Sequence, residues 1–152
     1  MSQKVSTNRS ARRDYHIEAT LEAGIVLTGT EVKSLRRYGA NLNDGFALVR
    51  DGEVFMHNVH IPKYEEGNRY NHEPDRTRKL LLNKSEISRI IGKTQQRGYT
   101  LIPLKIYFKD GFAKVELALA KGLAKYDKRE KIKKNEQRRE IDRAMKDFRN
   151  RS

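Results

Sequence analysis

Apolar and polar residues alternate over short stretches between residues 15 and 120, which predicts a mainly β domain. The clearest stretches are FALVR and EVFMHNV around Asp51-Gly52, and PLKIYFK and FAKVELALA around Asp110-Gly111. An Asp-Gly pair between two alternating runs is typical of a tight β-hairpin. Residues 15–27 are interpreted as one bent strand or as two strands, because Gly24 interrupts the run.

Helices are predicted between these strands. Thr28 with Glu31 three residues later forms a capping box, and Gly39 is expected to end the helix that follows. A second helix is expected to begin at Asn83 or Ser85 and to stop at the glycines 92 and 98, and a short turn is expected at residues 9–14. Short antiparallel strands with small helices between them predict a small antiparallel β-barrel.

The second hairpin is predicted to have an apolar face and a basic face. Leu104, Ile106 and Phe108 alternate with polar residues on the first strand, as do Ala113, Val115, Leu117 and Leu119 on the second. The outward set is then Lys105, Tyr107, Lys109, Lys114, Glu116 and Ala118. Lysines around a tyrosine suit an RNA backbone and a base. The same pattern is also typical of an ordinary polar surface. Taken alone, this hairpin favours the ordinary polar surface over an RNA-binding one.

Residues 62–79 contain few apolar residues and are predicted to form a surface loop. The loop ends with Arg76, Arg78 and Lys79, and three leucines follow at positions 80–82. Three consecutive residues cannot all point to one side of a strand, so one leucine is expected to be exposed.

The chain of 152 residues carries 33 Lys+Arg and 20 Asp+Glu, a net charge of +13. Residues 121–152 hold 13 basic and 6 acidic residues, and therefore more than half of this excess. A basic protein attracts polyanions, and nucleic acid is the leading candidate, ahead of acidic lipid or a merely well-solvated surface.

The last residues differ in pattern from the rest. After Gly122 there is no further Gly or Pro, and acidic residues precede basic ones by four positions, which favours a helix. The apolar stripe is short, with Ile141, Ala144, Met145 and Phe148, so a helix there is marginal alone. We therefore expect an RNA-binding domain over residues 1–122 and a basic tail over residues 123–152 that is disordered alone and helical on a partner.

Enzyme signatures are not found in the sequence. The absence of cysteine excludes disulfides, Cys-based zinc sites and thiolate catalysis. Neither residues 24–29 nor residues 87–94 complete a phosphate-binding loop: Thr30-Glu31 follows the first where Lys-Ser or Lys-Thr is needed, and Ile87 stands where the second needs a glycine. His57 and His60 are expected on opposite faces of a strand, which disfavours a metal pair. No transmembrane span or signal peptide is recognised, so a cytoplasmic protein without a cofactor or a membrane partner is expected.

Several strings carry a family resemblance. EAGIVLTGTEVKSLR (22–36), DGEVFMHNVHIPKYE (51–65), RTRKLLLNKSEI (76–87), GYTLIPLKIYF (98–108), KVELALAKG (114–122) and YDKR (126–129) closely resemble the small protein B family, bacterial proteins that bind transfer-messenger RNA. The match covers nearly the whole chain in the same order. It departs from the family pattern at Leu123-Ala124, where two basic residues are usual, and at Glu73, where aspartate is usual.

The resemblance implies a function as well as a fold. The fold would be an antiparallel β-barrel resembling an oligonucleotide-binding fold, with about three short helices and a basic tail. The protein would be a non-enzymatic, monomeric adaptor that binds the tRNA-like domain of transfer-messenger RNA and delivers it, with elongation factor Tu, to stalled ribosomes. The tail would occupy the decoding centre and the empty message channel. A general β-barrel RNA-binding or ribosome-assembly protein is the alternative, and an RNA-processing enzyme a distant third.

The resemblance also assigns site residues. The family's RNA-contact positions fall on Glu22, Leu81 and Lys114, to which the predicted basic surface adds Lys105, Tyr107, Lys109, Arg76, Arg78 and Lys79. A carboxylate repels phosphate, so Glu22 is expected to accept hydrogen bonds from a base or ribose, or to hold a neighbouring arginine, unless it is an ordinary strand glutamate. Tyr126, Asp127, Lys128 and Arg129 match the decoding-centre motif, and Ile132 and Met145 match apolar tail positions.

Overall fold

The structure is a computed structural model that describes residues 5–65, 71–96 and 98–122. The chain divides into two units, residues 1–121 and 122–152, and all described residues except Gly122 belong to the first. The predicted tail, residues 123–152, lies outside the described residues. The elements in chain order are β1 (Ser6–Thr7), α1 (Ala11–Asp14), β2 (Tyr15–Ile25), α2 (Gly29–Arg37), β3 (Phe46–Arg50), β4 (Glu53–His57), β5 (Arg78–Leu81), α3 (Lys84–Thr94), β6 (Tyr99–Lys109) and β7 (Phe112–Gly122).

Six strands form a closed ring. Their order is β6, β3, β4, β5, β2, β7, and β7 pairs again with β6, while β1 adds to β6. Every pairing whose register is determined is antiparallel. Closure of the sheet on itself is the topology that the predicted barrel requires. The predicted fold class, mainly β and antiparallel with about three short helices, is confirmed. No helix of the described residues has both the length and the apolar content to cross a membrane.

Both predicted hairpins are confirmed. β3 pairs with β4 around Asp51-Gly52, and β6 pairs with β7 around Asp110-Gly111. Asp51 and Gly52 have φ angles of 51° and 75°, and Asp110 and Gly111 have 53° and 84°. Positive φ at both central residues is the type I′ requirement, which explains why Asp-Gly predicted the turns correctly.

The helix starts follow local capping chemistry. The predicted capping box is present, since Thr28 N–H donates to the Glu31 carboxylate (2.8 Å) and Glu31 N–H donates to Thr28 Oγ1 (3.4 Å). Asn83, rather than Ser85, caps α3. The prediction that Gly92 stops this helix is wrong: α3 runs through it to Thr94. A single glycine costs a helix only about 1 kcal/mol, which the packing of buried Ile90 offsets.

Every strand of the ring contributes side chains to one main core. The buried members are Ala23, Ile25, Leu35, Leu42, Ala47, Val54, Met56, Val59, Ile61, Leu80, Ile90, Leu101, Ile106, Val115, Leu117 and Leu119. A smaller cluster, on the other side of the β6–β7 hairpin, contains Ala11, Ile102, Leu104, Ala118 and Ala120.

This smaller cluster corrects the predicted faces of the hairpin. The register between β6 and β7 shifts between Pro103 and Lys105, so Leu104 is an extra residue in a β-bulge. Leu104 therefore packs with Ile102 and not with Ile106, and Ala118, predicted to face solvent, is fully buried beside it. Because α1 covers this end of the outer face, only the end near the turn stays open.

The structure refines two further predictions. Of the two alternatives for residues 15–27, one strand or two, the structure has one: β2 runs without a break from Tyr15 to Ile25, so Gly24 does not divide it. The loop predicted over residues 62–79 ends two residues earlier, because β5 already begins at Arg78. It is also anchored: buried His72 bonds through Nδ1 to Thr30 Oγ1 and through Nε2 to Ile61 O, both at 2.9 Å.

Candidate nucleic-acid interface

The three positions that the resemblance assigns to RNA contact lie on neighbouring strands. Leu81 is on β5, Glu22 on β2 and Lys114 on β7, and these strands are consecutive in the ring. Leu81 is paired with Gly24, which lies on the same side of β2 as Glu22 two residues earlier. The fold therefore brings together side chains that are far apart in sequence, on the outer surface of three adjacent strands.

The outer side of the β6–β7 hairpin continues this surface. We call Lys105, Tyr107, Lys109, Phe112, Lys114 and Glu116 the hairpin face. Within it, Tyr107 is paired with Lys114 and Lys109 with Phe112. Lys105 lies 3.3 Å from a Glu116 carboxylate oxygen and 5.5 Å from the centre of the Tyr107 ring. In the described part of the chain no carboxylate lies within 4.0 Å of the Lys114 ammonium, whose charge is thus open to a phosphate.

Glu22 holds Tyr107 in place. β7 lies between β6 and β2, and the Tyr107 hydroxyl reaches across it to donate a hydrogen bond of 2.5 Å to Glu22 Oε2. Lys109 Nζ lies 3.5 Å from the other carboxylate oxygen. The glutamate thus holds a tyrosine and a lysine, and not the arginine that was expected as one alternative.

The pKa values of this pair reflect the same contact. The hydrogen bond from Tyr107 lowers the pKa of Glu22, with further lowering from the charges of Lys109 and Lys114. Partial burial and the neighbouring Glu22 carboxylate raise the pKa of the Tyr107 hydroxyl. At neutral pH the glutamate is therefore ionised and the tyrosine neutral, which keeps the hydroxyl a donor.

Leu81 is the exposed leucine that the sequence predicted. Its side chain is 52% exposed, whereas Leu80 is buried. A Cβ atom at Gly24 would lie 3.2 Å from the Leu81 Cβ, so the glycine leaves room for Leu81 to lie against β2. Val26, also exposed, lies directly after the end of β2. The result is a small apolar patch beside the charged positions.

The predicted basic group at the start of β5 divides into three different environments. Lys79 is half-buried and lies 2.9 Å from Glu53. Arg76 is partly exposed and donates to Glu31 at 2.6 Å. Arg78 is fully buried, donating from Nε to Glu31 at 2.5 Å and from Nη1 to the carbonyl of Val59 at 2.7 Å. A side chain with no exposed surface offers nothing to an outside phosphate, so the expectation that Arg78 contacts RNA does not fit this structure.

Phe112 is a surface residue that the sequence reasoning left out. Its side chain is 71% exposed, the largest exposure among the large apolar side chains described. The sequence contains the signal, because Phe112, Lys114 and Glu116 alternate outward along β7, so Phe112 belongs to the outward set that the predicted face begins only at Lys114.

The histidines have separate surroundings. His57 stacks on Phe46 at 5.2 Å between ring centroids and bonds to Thr77 Oγ1, while the His60 imidazole lies 3.0 Å from Asp75. Among residues 5–65, 71–96 and 98–122, no three His, Cys, Asp or Glu residues are grouped as metal ligands would be. The predicted tail positions Tyr126, Asp127, Lys128, Arg129, Ile132 and Met145 lie outside the described residues.

Comparison with known proteins identifies the family. A family model described as SmpB protein matches residues 5–147. The SsrA-binding protein of Geobacillus thermodenitrificans is 60% identical over 143 residues, which cover 94% of this chain and 92% of that protein. The SsrA-binding protein of Geobacter metallireducens is 59% identical over 94% of both chains.

A solved structure supports the same assignment. It is described as "tmRNA-SmpB: a journey to the center of the bacterial ribosome" and superposes with a TM-score of 0.69. The sequences are 52% identical, and the alignment covers 82% of this chain and 87% of that one. The family model spans nearly all of the sequence, and a relative that is 60% identical covers 94% of the chain. The chain therefore belongs to the SmpB protein family.

Proposed function

We propose that this protein is a non-enzymatic adaptor that binds transfer-messenger RNA and brings it to stalled ribosomes in trans-translation. The observation that carries the proposal is the 60% identity, over 94% of the chain, to a protein named for binding SsrA RNA, which is transfer-messenger RNA. The solved relative, whose description names both this RNA and the ribosome, supports it further. Family membership favours this function over general RNA binding or ribosome assembly.

The RNA-binding surface is the outside of β5, β2, β7 and β6. Lys114 supplies an ammonium group for phosphates, and Lys109 and Lys105 add two more that Glu22 and Glu116 partly neutralise. Tyr107, fixed by Glu22, presents a ring of defined orientation to a base or ribose. Leu81 offers an exposed apolar contact next to these groups. Arg76 and Lys79 lie at the edge of this surface, each already paired with a glutamate.

The tail carries the ribosomal half of the function. Tyr126, Asp127, Lys128 and Arg129 contact the decoding centre, and Ile132 and Met145 supply apolar contacts of a helix that forms in the message channel. Bases in this segment neutralise ribosomal phosphate, which stabilises the helix only when it is bound. The protein acts as a cytoplasmic monomer together with elongation factor Tu, and it requires no cofactor.

The first test is the identity of the RNA that co-purifies with the full-length protein. A single species with a tRNA-like end is expected, and mixed ribosomal RNA would favour ribosome assembly instead. RNA cleavage by the pure protein would contradict an adaptor role.

A second test separates the two halves of the function. Truncation after Gly122 is expected to leave binding of the tRNA-like domain nearly intact while abolishing peptide tagging on stalled ribosomes. Full-length Lys114→Ala is the matched control, since it should weaken RNA binding while keeping the tail. If the truncated protein still supports tagging, the proposed role of the tail is wrong.

A further inference from the structure

We propose that Phe112 is a base-stacking contact that extends the RNA-binding surface to the tip of the β6–β7 hairpin. Its ring would take an unstacked nucleobase of a single-stranded or looped segment of the RNA. The inference rests on the function proposed above and adds to it a contact residue that the resemblance did not assign.

The first support is the cost of leaving this ring in water. Phe112 is 71% exposed and belongs to neither apolar cluster of the described residues. Complete burial of a phenylalanine side chain stabilises a fold by about 1.5 to 3 kcal/mol, and Phe112 gains little of this stabilisation within its own fold. If Phe112 only packed across the hairpin against Lys109 beside the turn, its substitution would lower the stability of the fold, which the experiment below measures.

The second support is its charged surroundings. Phe112 is paired across the hairpin with Lys109, which places their Cβ atoms about 5 Å apart. Lys114 follows two residues later on the same side of β7, about 7 Å along the strand. A nucleotide whose base stacks on the ring can therefore reach a lysine with its phosphate. An aromatic ring between cationic groups is the arrangement that binds single-stranded nucleic acid without sequence preference.

The third support is the distribution of exposed apolar side chains around the ring. The four large ones described are Val5, Val26, Leu81 and Phe112. They lie on, or next to, β1, β2, β5 and β7, and none of the four is on β3 or on β4, the strand opposite β7 in the ring. Phe112 is joined to the surface that holds Glu22, Leu81 and Lys114, because its cross-strand partner Lys109 contacts Glu22, and charge complementarity points to RNA as the occupant.

The test measures binding of transcribed transfer-messenger RNA to full-length variants. Phe112→Ala and Phe112→Leu are expected to weaken binding by about 5- to 150-fold, the range found for loss of one base–aromatic stack, while Phe112→Tyr retains most of the affinity. The slope of log affinity against log salt should stay unchanged, because no phosphate contact is lost, in contrast to Lys114→Ala. The melting temperatures should match wild type.

The sequence contains no tryptophan, so Phe112→Trp gives a single fluorescent reporter. Its emission should be quenched when RNA binds, whereas a control tryptophan at Phe46, on β3, should respond little. If Phe112→Ala binds the RNA with wild-type affinity, the inference is overturned, and this result is expected if the ring contacts a protein instead. Wild-type affinity of Phe112→Leu would overturn it as well. In those cases binding by the wild type still supports the proposed function. If the wild type itself does not bind, both fail.

Discussion

Glu31 is an ionised carboxylate without exposed surface, and we expect Glu31→Gln to destabilise the fold strongly. Its two oxygens accept hydrogen bonds from Arg76 and from Arg78, which is itself fully buried. Glutamine keeps the size, and its amide can still cap α2, but it leaves Arg78 in the interior without a counter-charge. Removal of one partner of a buried ion pair costs about 3 to 5 kcal/mol, a large part of the about 5 to 15 kcal/mol that stabilises a typical domain.

The pKa of Glu31 gives a second value for the stability that its contacts contribute. Burial raises this pKa, but the hydrogen bonds from Arg76, Thr28 N–H and Arg78 outweigh burial and lower it from 4.5 to about 2. At about 1.36 kcal/mol per pKa unit, the difference corresponds to on the order of 3 kcal/mol of stability. Because the folded pKa lies below the unfolded one, this stability is fully present above pH 4.5 and is lost as the pH falls towards 2.

The assay is urea unfolding followed by circular dichroism at pH 7 and at steps between pH 5 and pH 2. Glu53→Gln serves as the control, because it removes the exposed ion pair with Lys79 and should cost at most about 1 kcal/mol. Wild type should lose more stability than Glu31→Gln as the acid range is crossed. A loss below about 1 kcal/mol for Glu31→Gln at pH 7, with an unchanged pH dependence, would refute the reasoning.

Three further predictions concern the interface. Lys114→Ala should lower the slope of log affinity against log salt by about 0.7 to 0.9 at an unchanged melting temperature, and an unchanged slope would remove Lys114 from the interface. Leu81→Ala should weaken RNA binding with a loss of stability below about 1 kcal/mol, since a loss of about 2 to 5 kcal/mol in denaturant titrations would mark a core residue. Tyr107→Phe should raise the pKa of Glu22 towards 4.5, which NMR titration of the carboxylate measures; no change would mean that this hydrogen bond is not formed in solution.

Features fixed by neighbouring residues were predictable from the sequence. The two Asp-Gly turns need only their own positive φ angles and the alternating strands beside them. The capping box of Thr28 lies within four residues, and the exposure of one leucine in three follows from strand geometry alone.

Features that depend on distant residues were not predictable in this way. Arg78 follows a stretch of polar residues, as a surface arginine would, and its partner Glu31 lies 47 positions away. The bulge at Leu104 reflects packing against α1, which no local pattern encodes. The hydrogen bond between Tyr107 and Glu22 joins residues 85 positions apart. The sequence therefore indicated both residues as candidate RNA contacts but could not show that they bind each other.

The charges of the interface also limit what it contributes to RNA affinity. The lysines 105, 109 and 114 of the hairpin face meet Glu116 of the same face and Glu22 of β2, and these five side chains carry a net charge of only +1. Residues 121–152 carry a net charge of +7. Long-range attraction depends on net charge, whereas base and ribose contacts depend on the position of individual groups. The ring therefore supplies mainly short-range contacts to the tRNA-like domain, whereas the basic segment after it supplies long-range attraction to ribosomal phosphate. A protein ending at Gly122 should then bind the tRNA-like domain with nearly the wild-type dependence on salt, and a markedly shallower slope would mean that this segment also contacts transfer-messenger RNA.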